Sequence, residues 1–214
     1  MTDPVLEARL DAGLAAMSLT PEAPARARLL SYLGLLAQWN RVYNLTAVRE
    51  PAQWISLHLL DSLSLRPFLP PGRLLDIGSG AGLPGLVIAM LEPDRDIVLL
   101  DSNAKKTRFL TQAVTTLQLK NVKVARCRIE AYQPAALFDA VTSRAFAALS
   151  DFVRSALPLC RPADGILLAM KGRYPAEELQ DLPAGVRLNG VHRVEVPGLD
   201  AERHIVSMTP IHEC

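Results

Sequence analysis

The residues with the clearest chemical meaning stand together at positions 76–85. Asp76 lies near the end of an apolar run, and Gly78, Gly80 and Gly82 follow it at alternate positions. Glycines in the turn after a buried strand let a ligand approach the backbone with no Cβ in the way. Turns made for packing alone also use glycine, but three glycines directly after a strand that carries an acid favour a ligand-binding turn.

The identity of this ligand depends on Asp76. The spacing Gly80-x-Gly82-x-x-Gly85 matches the dinucleotide fingerprint, so an NAD(P)-dependent oxidoreductase is one hypothesis. A carboxylate repels a pyrophosphate, whereas it attracts the α-ammonium group of S-adenosylmethionine. Asp76 therefore favours S-adenosylmethionine as the cofactor and methyl transfer as the reaction. A nucleotide-sensing or RNA-binding module without chemistry is a third hypothesis.

A second acid, Asp101, follows the next predicted strand, 25 residues after Asp76. A carboxylate at this place can accept hydrogen bonds from both hydroxyls of a ribose. Both candidate ligands contain such a ribose, so Asp101 indicates a nucleoside without choosing between them. Asp101 could instead cap the following helix, although Ser102 and Asn103 can also do so.

Two later turns complete the predicted site. In the layout of nucleoside-dependent methyltransferases, Ile129 packs on the adenine ring and Glu130 or a neighbouring amide reaches its edge; a surface position for Glu130 is an equal alternative. Arg144 stands at a strand end near Phe146. Arg144 is the candidate catalytic residue, with a positioning role, and could bind the donor carboxylate, a phosphate or a guanine.

The type of methyl acceptor is suggested by two motifs that residues 139–146 do not contain. Amine-directed methyltransferases commonly place Asn or Asp-Pro-Pro-aromatic here, and carbon-directed enzymes on pyrimidines need a cysteine nucleophile. Neither occurs in this segment. A ring nitrogen with a free lone pair, such as guanine N7, needs positioning and electrostatic stabilisation and no general base. The segment is compatible with such an acceptor.

The elements that must hold these residues alternate between strands and helices. This alternation predicts an α/β fold with a doubly wound, Rossmann-like and mostly parallel sheet. Two last strands, at 187–196 and 203–208, are joined by a segment too short for a crossover helix and are predicted to be antiparallel. The other strands are predicted at 73–77, 97–100, 122–125, 138–142 and 166–170, with helices that begin near residues 84, 103, 150 and 175.

The N-terminal part, residues 3–66, is predicted to be helical. Thr20 and Pro21 are typical of a helix start, and Pro51 is predicted to open a second helical stretch that runs to Leu65. Prolines at 67, 70 and 71 mark a boundary. We therefore predict a helical cap over residues 1–70 and a core over residues 71–214. The leucines that recur on one helix face are Leu29, Leu33 and Leu36.

Composition bounds the class of protein. The chain has 214 residues, half of them hydrophobic, and a net charge of +1, which predicts a globular domain. Its N-terminal residues show no apolar stretch behind a basic start, and no apolar run reaches membrane-spanning length, which predicts a cytoplasmic protein. Its three cysteines, Cys127, Cys160 and Cys214, form no Cys-x-x-Cys pair, so neither a disulfide framework nor a metal site is expected. A monomer is the default expectation.

With these residues in view, the chain resembles the bacterial 16S rRNA (guanine-N7)-methyltransferase G family, also called glucose-inhibited division protein B. The resemblance covers nearly the whole chain, and it departs from the family at Asn103-Ala104, where Leu-Gly is more usual. The matching segments are residues 39–49, 58–62, 76–85, 99–102, 105–110, 143–146 and 171–172.

The resemblance implies a class I methyltransferase fold with an N-terminal helical cap. It also implies S-adenosylmethionine as donor and a guanosine in the decoding-region stem-loop of small-subunit 16S rRNA as target. The donor contacts that it implies are Gly78, Leu83, Ile129, Glu130 and Arg144. Together with the residues argued from the pattern, the predicted cofactor site is Asp76, Gly78, Gly80, Gly82, Leu83, Asp101, Ile129, Glu130 and Arg144.

Basic residues near the strand ends are predicted to contact RNA phosphates. The segment 101–130 has seven Lys or Arg residues against two acids, although a solvated helix face is the simpler explanation of such a patch. The predicted phosphate contacts are Lys105, Lys106, Arg108, Arg126, Arg128, Lys171 and Arg173.

Three N-terminal features have open roles. The segment 44–46 could approach the donor or substrate, or could simply cap and join two helices. His58 on an apolar helix is more often a packing residue than a catalytic one, and with Asp61 it could form a pair on one helix face. Trp39 is predicted to lie in the core.

Overall fold

The computed structural model describes residues 3–144, 146 and 148–211; Cys214 and Ala145, which falls within the matching segment 143–146, lie outside these residues. The described residues form one seven-stranded sheet of order β3-β2-β1-β4-β5-β7-β6. The strands are β1 Leu74–Ile77, β2 Ile97–Leu100, β3 Val122–Ala125, β4 Ala140–Ser143, β5 Ile166–Lys171, β6 Val186–Arg193 and β7 His204–Pro210.

The sheet confirms the predicted mostly parallel arrangement. Strands β1 to β5 pair in parallel, and β7 runs antiparallel to both β5 and β6. The chain moves outward from β1 to β3 and then returns to place β4 on the other side of β1. In open α/β sheets, ligands bind beyond the carboxyl ends of the strands at such a reversal of strand order. The fold therefore directs attention to the turns after β1, β2 and β4.

Eight α-helical segments surround the sheet within the described part of the chain. Asn103 caps α6, because its side-chain oxygen accepts hydrogen bonds from the N–H groups of Lys105 and Lys106, at 2.9 and 3.2 Å. The helices are α1 Pro4–Ala16, α2 Ala23–Tyr43, α3 Pro51–Trp54, α4 Asp61–Leu63, α5 Gly85–Leu91, α6 Ala104–Thr116, α7 Leu149–Ala156 and α8 Ala176–Gln180.

The predicted start of the second helix is wrong by two residues. A helix capped by Thr20 would need an N–H group from Pro24 for its first backbone hydrogen bond, and proline has none. The helix instead begins at Ala23, which puts Pro24 in the first turn, where no N–H group is required.

The second helical stretch contains a widened turn that the pattern did not predict. Between α3 and α4, residues Ile55–Leu60 form a π-helical turn, and a 3₁₀ turn follows at Arg66–Phe68. Turns of this kind are rare in proteins and are frequent at functional sites. This one directly precedes Asp61.

The N-terminal helices pack on one face of the sheet together with α5 and α6. Leu29, Leu33 and Leu36 are buried there, as their spacing predicts. Trp39 is only partly buried, at the edge of this core, with its ring 5.7 Å from that of Phe109. The division of the chain at residue 70 stays a prediction.

One hydrogen bond joins this helical layer to the glycine turn. The hydroxyl of Tyr32, on α2, donates to the carbonyl oxygen of Ala81 at 2.8 Å, and the Tyr32 side chain is fully buried. Burial raises the pKa of this hydroxyl, so it stays a proton donor. The helical layer therefore supports the shape of the glycine turn.

We expect Tyr32→Phe to lower the free energy of unfolding by about 1 to 3 kcal/mol, because it leaves the buried carbonyl of Ala81 without its donor. Urea denaturation measures this change. Tyr43→Phe is the matched control, since the Tyr43 hydroxyl makes no hydrogen bond to the described residues. Equal stability of the two variants would contradict the role of Tyr32.

Candidate active site

The turn after β1 requires glycine at several positions. Gly78, Gly80 and Gly82 have φ values of +69°, +58° and +88°, in the region that favours glycine. The N–H groups of Gly78 and Ser79 both donate to the carbonyl oxygen of Leu100, at 2.7 and 3.1 Å. A Cβ atom on Gly80 would meet no atom closer than 3.8 Å, so the turn is open at that point.

Asp76 lies beneath this turn. It is fully buried; one carboxylate oxygen accepts a hydrogen bond from the N–H group of Gly85 at 2.9 Å, and the other has no partner among the described residues. Burial raises its pKa to about 6. The contacts that Asp76 makes hold the start of α5 against β1. Its predicted contact with the donor ammonium stays a prediction.

Asp101 joins the glycine turn to the helix that follows β2. One carboxylate oxygen accepts from the N–H group of Gly80 at 3.0 Å and the other from the N–H group of Asn103 at 2.8 Å. Lys106 approaches the same carboxylate at 3.9 Å. Each carboxylate oxygen has two lone pairs, so Asp101 keeps the capacity to accept hydrogen bonds from ribose hydroxyls.

A cavity of about 310 Å³ lies beside these residues, at the carboxyl ends of β1 and β2. It brings together four predicted cofactor residues, an acid and apolar side chains, as a nucleoside site requires. Asp76, Gly80, Gly82, Leu83 and Arg144 do not line it. The lining residues are Ile77, Gly78, Leu100, Asp101, Ser102, Lys106, Cys127, Arg128, Ile129, Glu130 and Phe146.

Arg144 lies just beyond the end of β4, where its guanidinium group is held by the N-terminal helices. Its Nη1 donates to a carboxylate oxygen of Asp61 at 2.9 Å and to the carbonyl oxygen of Leu57 at 3.2 Å. The other carboxylate oxygen of Asp61 accepts from Nε of Arg203 at 2.8 Å. Asp61 is 2% exposed, so a buried carboxylate joins two arginines.

Sequence reasoning missed this cluster. The helix-face pairing of His58 with Asp61 is wrong, because Asp61 binds the two arginines and His58 Nε2 lies 2.9 Å from the hydroxyl of Thr46. In the sequence, only the position of Arg203 just before a predicted antiparallel strand could indicate that Arg203 lies near the site. Such a strand begins at the edge of the sheet where the parallel strands end.

His58 and the segment before it have structural roles. Burial lowers the pKa of His58 to about 4, so its ring is neutral at pH 7. Asn44 ends α2 in the left-handed conformation, with φ of +50°, and the N–H group of Thr46 donates to the side chain of Asn40 at 2.9 Å. The cap-and-turn interpretation of residues 44–46 therefore holds.

The basic residues predicted to contact RNA differ in their surroundings. Lys171 is 10% exposed in its side chain, and its ammonium group binds Glu178 at 2.7 Å and the carbonyl oxygen of Phe146 at 3.3 Å. This geometry contradicts a free phosphate-binding role for Lys171. Lys106 lies in the cavity wall. The exposed members of the set are Lys105, Arg108, Arg126, Arg128 and Arg173.

The described residues offer neither a metal site nor a membrane-spanning helix. Over residues 3–144, 146 and 148–211, no group of three or more His, Cys, Asp or Glu side chains is arranged to hold a metal ion. In the same residues, no helix combines the length and the apolar character needed to cross a membrane.

The strand order and the glycine turn beside the cavity are those of the class I methyltransferase fold. Solved structures share this fold: a glycopeptide N-methyltransferase, MtfA, complexed with S-adenosyl-L-homocysteine superimposes with a TM-score of 0.60 at 9% identity. That superposition covers 72% of this chain and 87% of the other.

Sequence comparison identifies the family. The family model for rRNA small subunit methyltransferase G matches residues 25–206. Ribosomal RNA small subunit methyltransferase G of Chromobacterium violaceum is 52% identical over 202 residues, covering 94% of this chain and 96% of that protein. The Methylococcus capsulatus protein of the same name is 49% identical over 201 residues, covering 94% and 97%.

The chain therefore belongs to the rRNA small subunit methyltransferase G family, and S-adenosylmethionine is its methyl donor. This membership replaces the hypotheses of an NAD(P)-dependent oxidoreductase and of a module without chemistry. It confirms the resemblance seen in the sequence.

We expect Asp101→Ala to weaken the binding of S-adenosyl-L-homocysteine about ten- to hundred-fold, or about 1.5 to 3 kcal/mol. The variant removes the acceptor for the ribose and the bond that holds Gly80. Isothermal titration measures the affinity. Asp96→Ala is the matched control, because Asp96 precedes β2 and binds Arg73 at the opposite edge of the sheet. Unchanged affinity in Asp101→Ala would remove Asp101 from the site.

We expect Asp76→Asn to become more stable relative to wild type as the pH rises. The raised pKa means that the neutral acid stabilises the fold fully below about pH 4 and that this contribution is lost as the pH rises through 6. The difference in the free energy of unfolding should change by up to about 3 kcal/mol between pH 4 and 7. Urea denaturation across this range measures it, and a difference independent of pH would contradict the raised pKa.

Proposed function

We propose that the protein transfers a methyl group from S-adenosylmethionine to N7 of a guanine in the decoding-region stem-loop of 16S rRNA. The observation that carries the proposal is the arginine cluster beside the donor cavity in a chain of this family. Arginine is the side chain that most often contacts the O6 and N7 edge of guanine. The compartment that we propose is the cytoplasm, where ribosomal subunits occur, and we propose a monomer that needs no metal.

The cavity residues fit the donor. Asp101 can accept hydrogen bonds from the ribose, and Ile129 lines the cavity with an apolar side chain on which an adenine ring can pack. The open position at Gly80 leaves space over the backbone for the amino-acid part. When bound, S-adenosylmethionine supplies an electrophilic methyl group on a sulfonium.

The chain contributes positioning and electrostatics to the transfer. Guanine N7 carries a lone pair in the plane of the base, so it attacks without first losing a proton, and the side chains need only hold the base in line. Arg144 lies one residue beyond β4. The residue before it, Ser143, donates its hydroxyl to the carbonyl oxygen of Ile77 in the cavity wall, at 2.7 Å, so Arg144 lies close to that wall. From there its guanidinium can orient the base through O6.

An exposed basic rim supports RNA as the substrate. Lys105 and Arg108 lie on α6, directly after the ribose-binding acid, and Arg128 lines the cavity entrance. Arg173 follows β5 at the same edge. Cations in this arrangement can bind phosphates on both sides of a nucleotide that enters the site.

The test is to map the modified atom. Small subunits and naked 16S rRNA from a strain that lacks this activity are incubated with the protein and methyl-labelled donor. We expect the label on N7 of one guanine in the decoding-region stem-loop. Particles from the parent strain are the control, because they are already methylated and should accept no label. Label on another atom or base, or no incorporation, would contradict the proposal.

A further inference from the structure

Asp61 joins three distant parts of the chain at one point. It stands directly after the π-helical turn, and it binds Arg144 and Arg203, which are 83 and 142 residues away along the chain. The bonds are 2.9 and 2.8 Å long, and the Asp61 side chain is 3% exposed. The two guanidinium groups are therefore held at a fixed separation by one buried carboxylate.

The two arginines keep donors for a ligand. Arg144 uses Nη1 for both of its bonds, and Arg203 uses Nε for Asp61 and Nη1 for the carbonyl oxygen of Glu202 at 2.8 Å. Nη2 of each guanidinium makes no hydrogen bond to the residues that the structure describes. Their side chains are 29% and 21% exposed. Two cations against one buried anion leave a net positive charge that faces solvent.

The cluster lies beside the donor cavity and outside it. Arg203 precedes His204, which pairs with Lys171 at the end of β5. Nη1 of Arg203 lies 3.9 Å from the position that a Cβ atom would take on Gly172, just after β5. Arg144 follows β4. Neither arginine is among the residues that line the 310 Å³ cavity. The pair therefore stands at the carboxyl ends of β4 and β5, where an acceptor would approach the donor.

We propose that Asp61 is a positioning residue that holds Arg144 and Arg203 at a fixed separation, so that Arg203 binds a backbone phosphate of the RNA next to the target nucleotide while Arg144 stays available to its base. The non-bridging oxygens of a phosphate can accept hydrogen bonds from the guanidinium donors that Arg203 does not use within the protein. The inference rests on the proposed function in one respect, because it needs an RNA substrate, but it does not depend on which base is methylated.

The first test is Asp61→Asn, which keeps the shape of the side chain and removes its charge. We expect the KM for RNA to rise at least about ten-fold and the slope of RNA binding against salt to fall by about one phosphate contact. The affinity for S-adenosyl-L-homocysteine should change less than about two-fold, because the pair lies outside the donor cavity. A comparable loss of affinity for both ligands would mean that the anion is the donor carboxylate, which would overturn the proposal.

The matched control is Asp139→Asn at the opposite edge of the sheet. Its carboxylate likewise holds an arginine, Arg161 at 2.6 Å, and also the N–H group of Arg73 at 2.6 Å. The Asp139 side chain is 17% exposed, so removing its charge weakens its bonds to Arg161 and to the N–H group of Arg73. We expect Asp139→Asn to lower the melting temperature without changing the KM for RNA. If the two variants have the same RNA kinetics, Asp61 has only a structural role.

A double-mutant cycle tests the coupling. If Asp61 acts on RNA mainly through Arg203, Asp61→Asn combined with Arg203→Ala should bind RNA no more than about two-fold more weakly than Arg203→Ala alone. Effects that multiply independently would contradict the proposal. Should Asp61→Asn fail to fold, Arg203→Lys decides the question, because a lost fork geometry with retained charge should still raise the KM for RNA, and an unchanged KM overturns the proposal. A wild-type protein that methylates a different base would refute the proposed function alone.

Discussion

The glycine turn keeps its shape because carboxylates on two adjacent strands each accept a hydrogen bond from it. Asp76, within β1, binds the N–H group of Gly85, and Asp101, just after β2, binds that of Gly80. Parallel pairing of β1 with β2 sets the distance between the two acids, so the sheet itself fixes the turn at two points. The turn can adopt left-handed φ values because Gly78, Gly80 and Gly82 have no Cβ atom, and Gly78 lines the cavity.

The N-terminal helices complete the site from the other side. Tyr32 holds the middle of the glycine turn, and Asp61 holds the arginines beyond β4. These contacts tie the glycine turn and the arginine cluster to one helical layer that packs on the sheet. The helical layer thus supports the candidate site as well as covering the hydrophobic core.

Local patterns in the sequence predicted most of the fold. The bounds of β2 and β3 agree residue for residue, because both are short apolar runs followed by polar turns. The predicted fourth strand begins two residues early, because Phe138 forms only an isolated bridge with Cys160. The cavity residues Asp101 and Ile129 follow strand ends and could be predicted. The Arg203 contact could not, since it depends on a tertiary approach between residues 142 positions apart.

The π-helical turn lets this segment contain one extra residue without rotating Asp61 out of place. A π-helical turn holds one residue more than an α-helical turn, and each residue in an α-helix rotates the following side chains by about 100°. If the same six residues of Ile55–Leu60 formed a regular α-helix, the Asp61 carboxylate would be rotated by about 100°, away from both arginines. A relative with one residue fewer at this place would form a regular helix and still direct its acid toward the arginines.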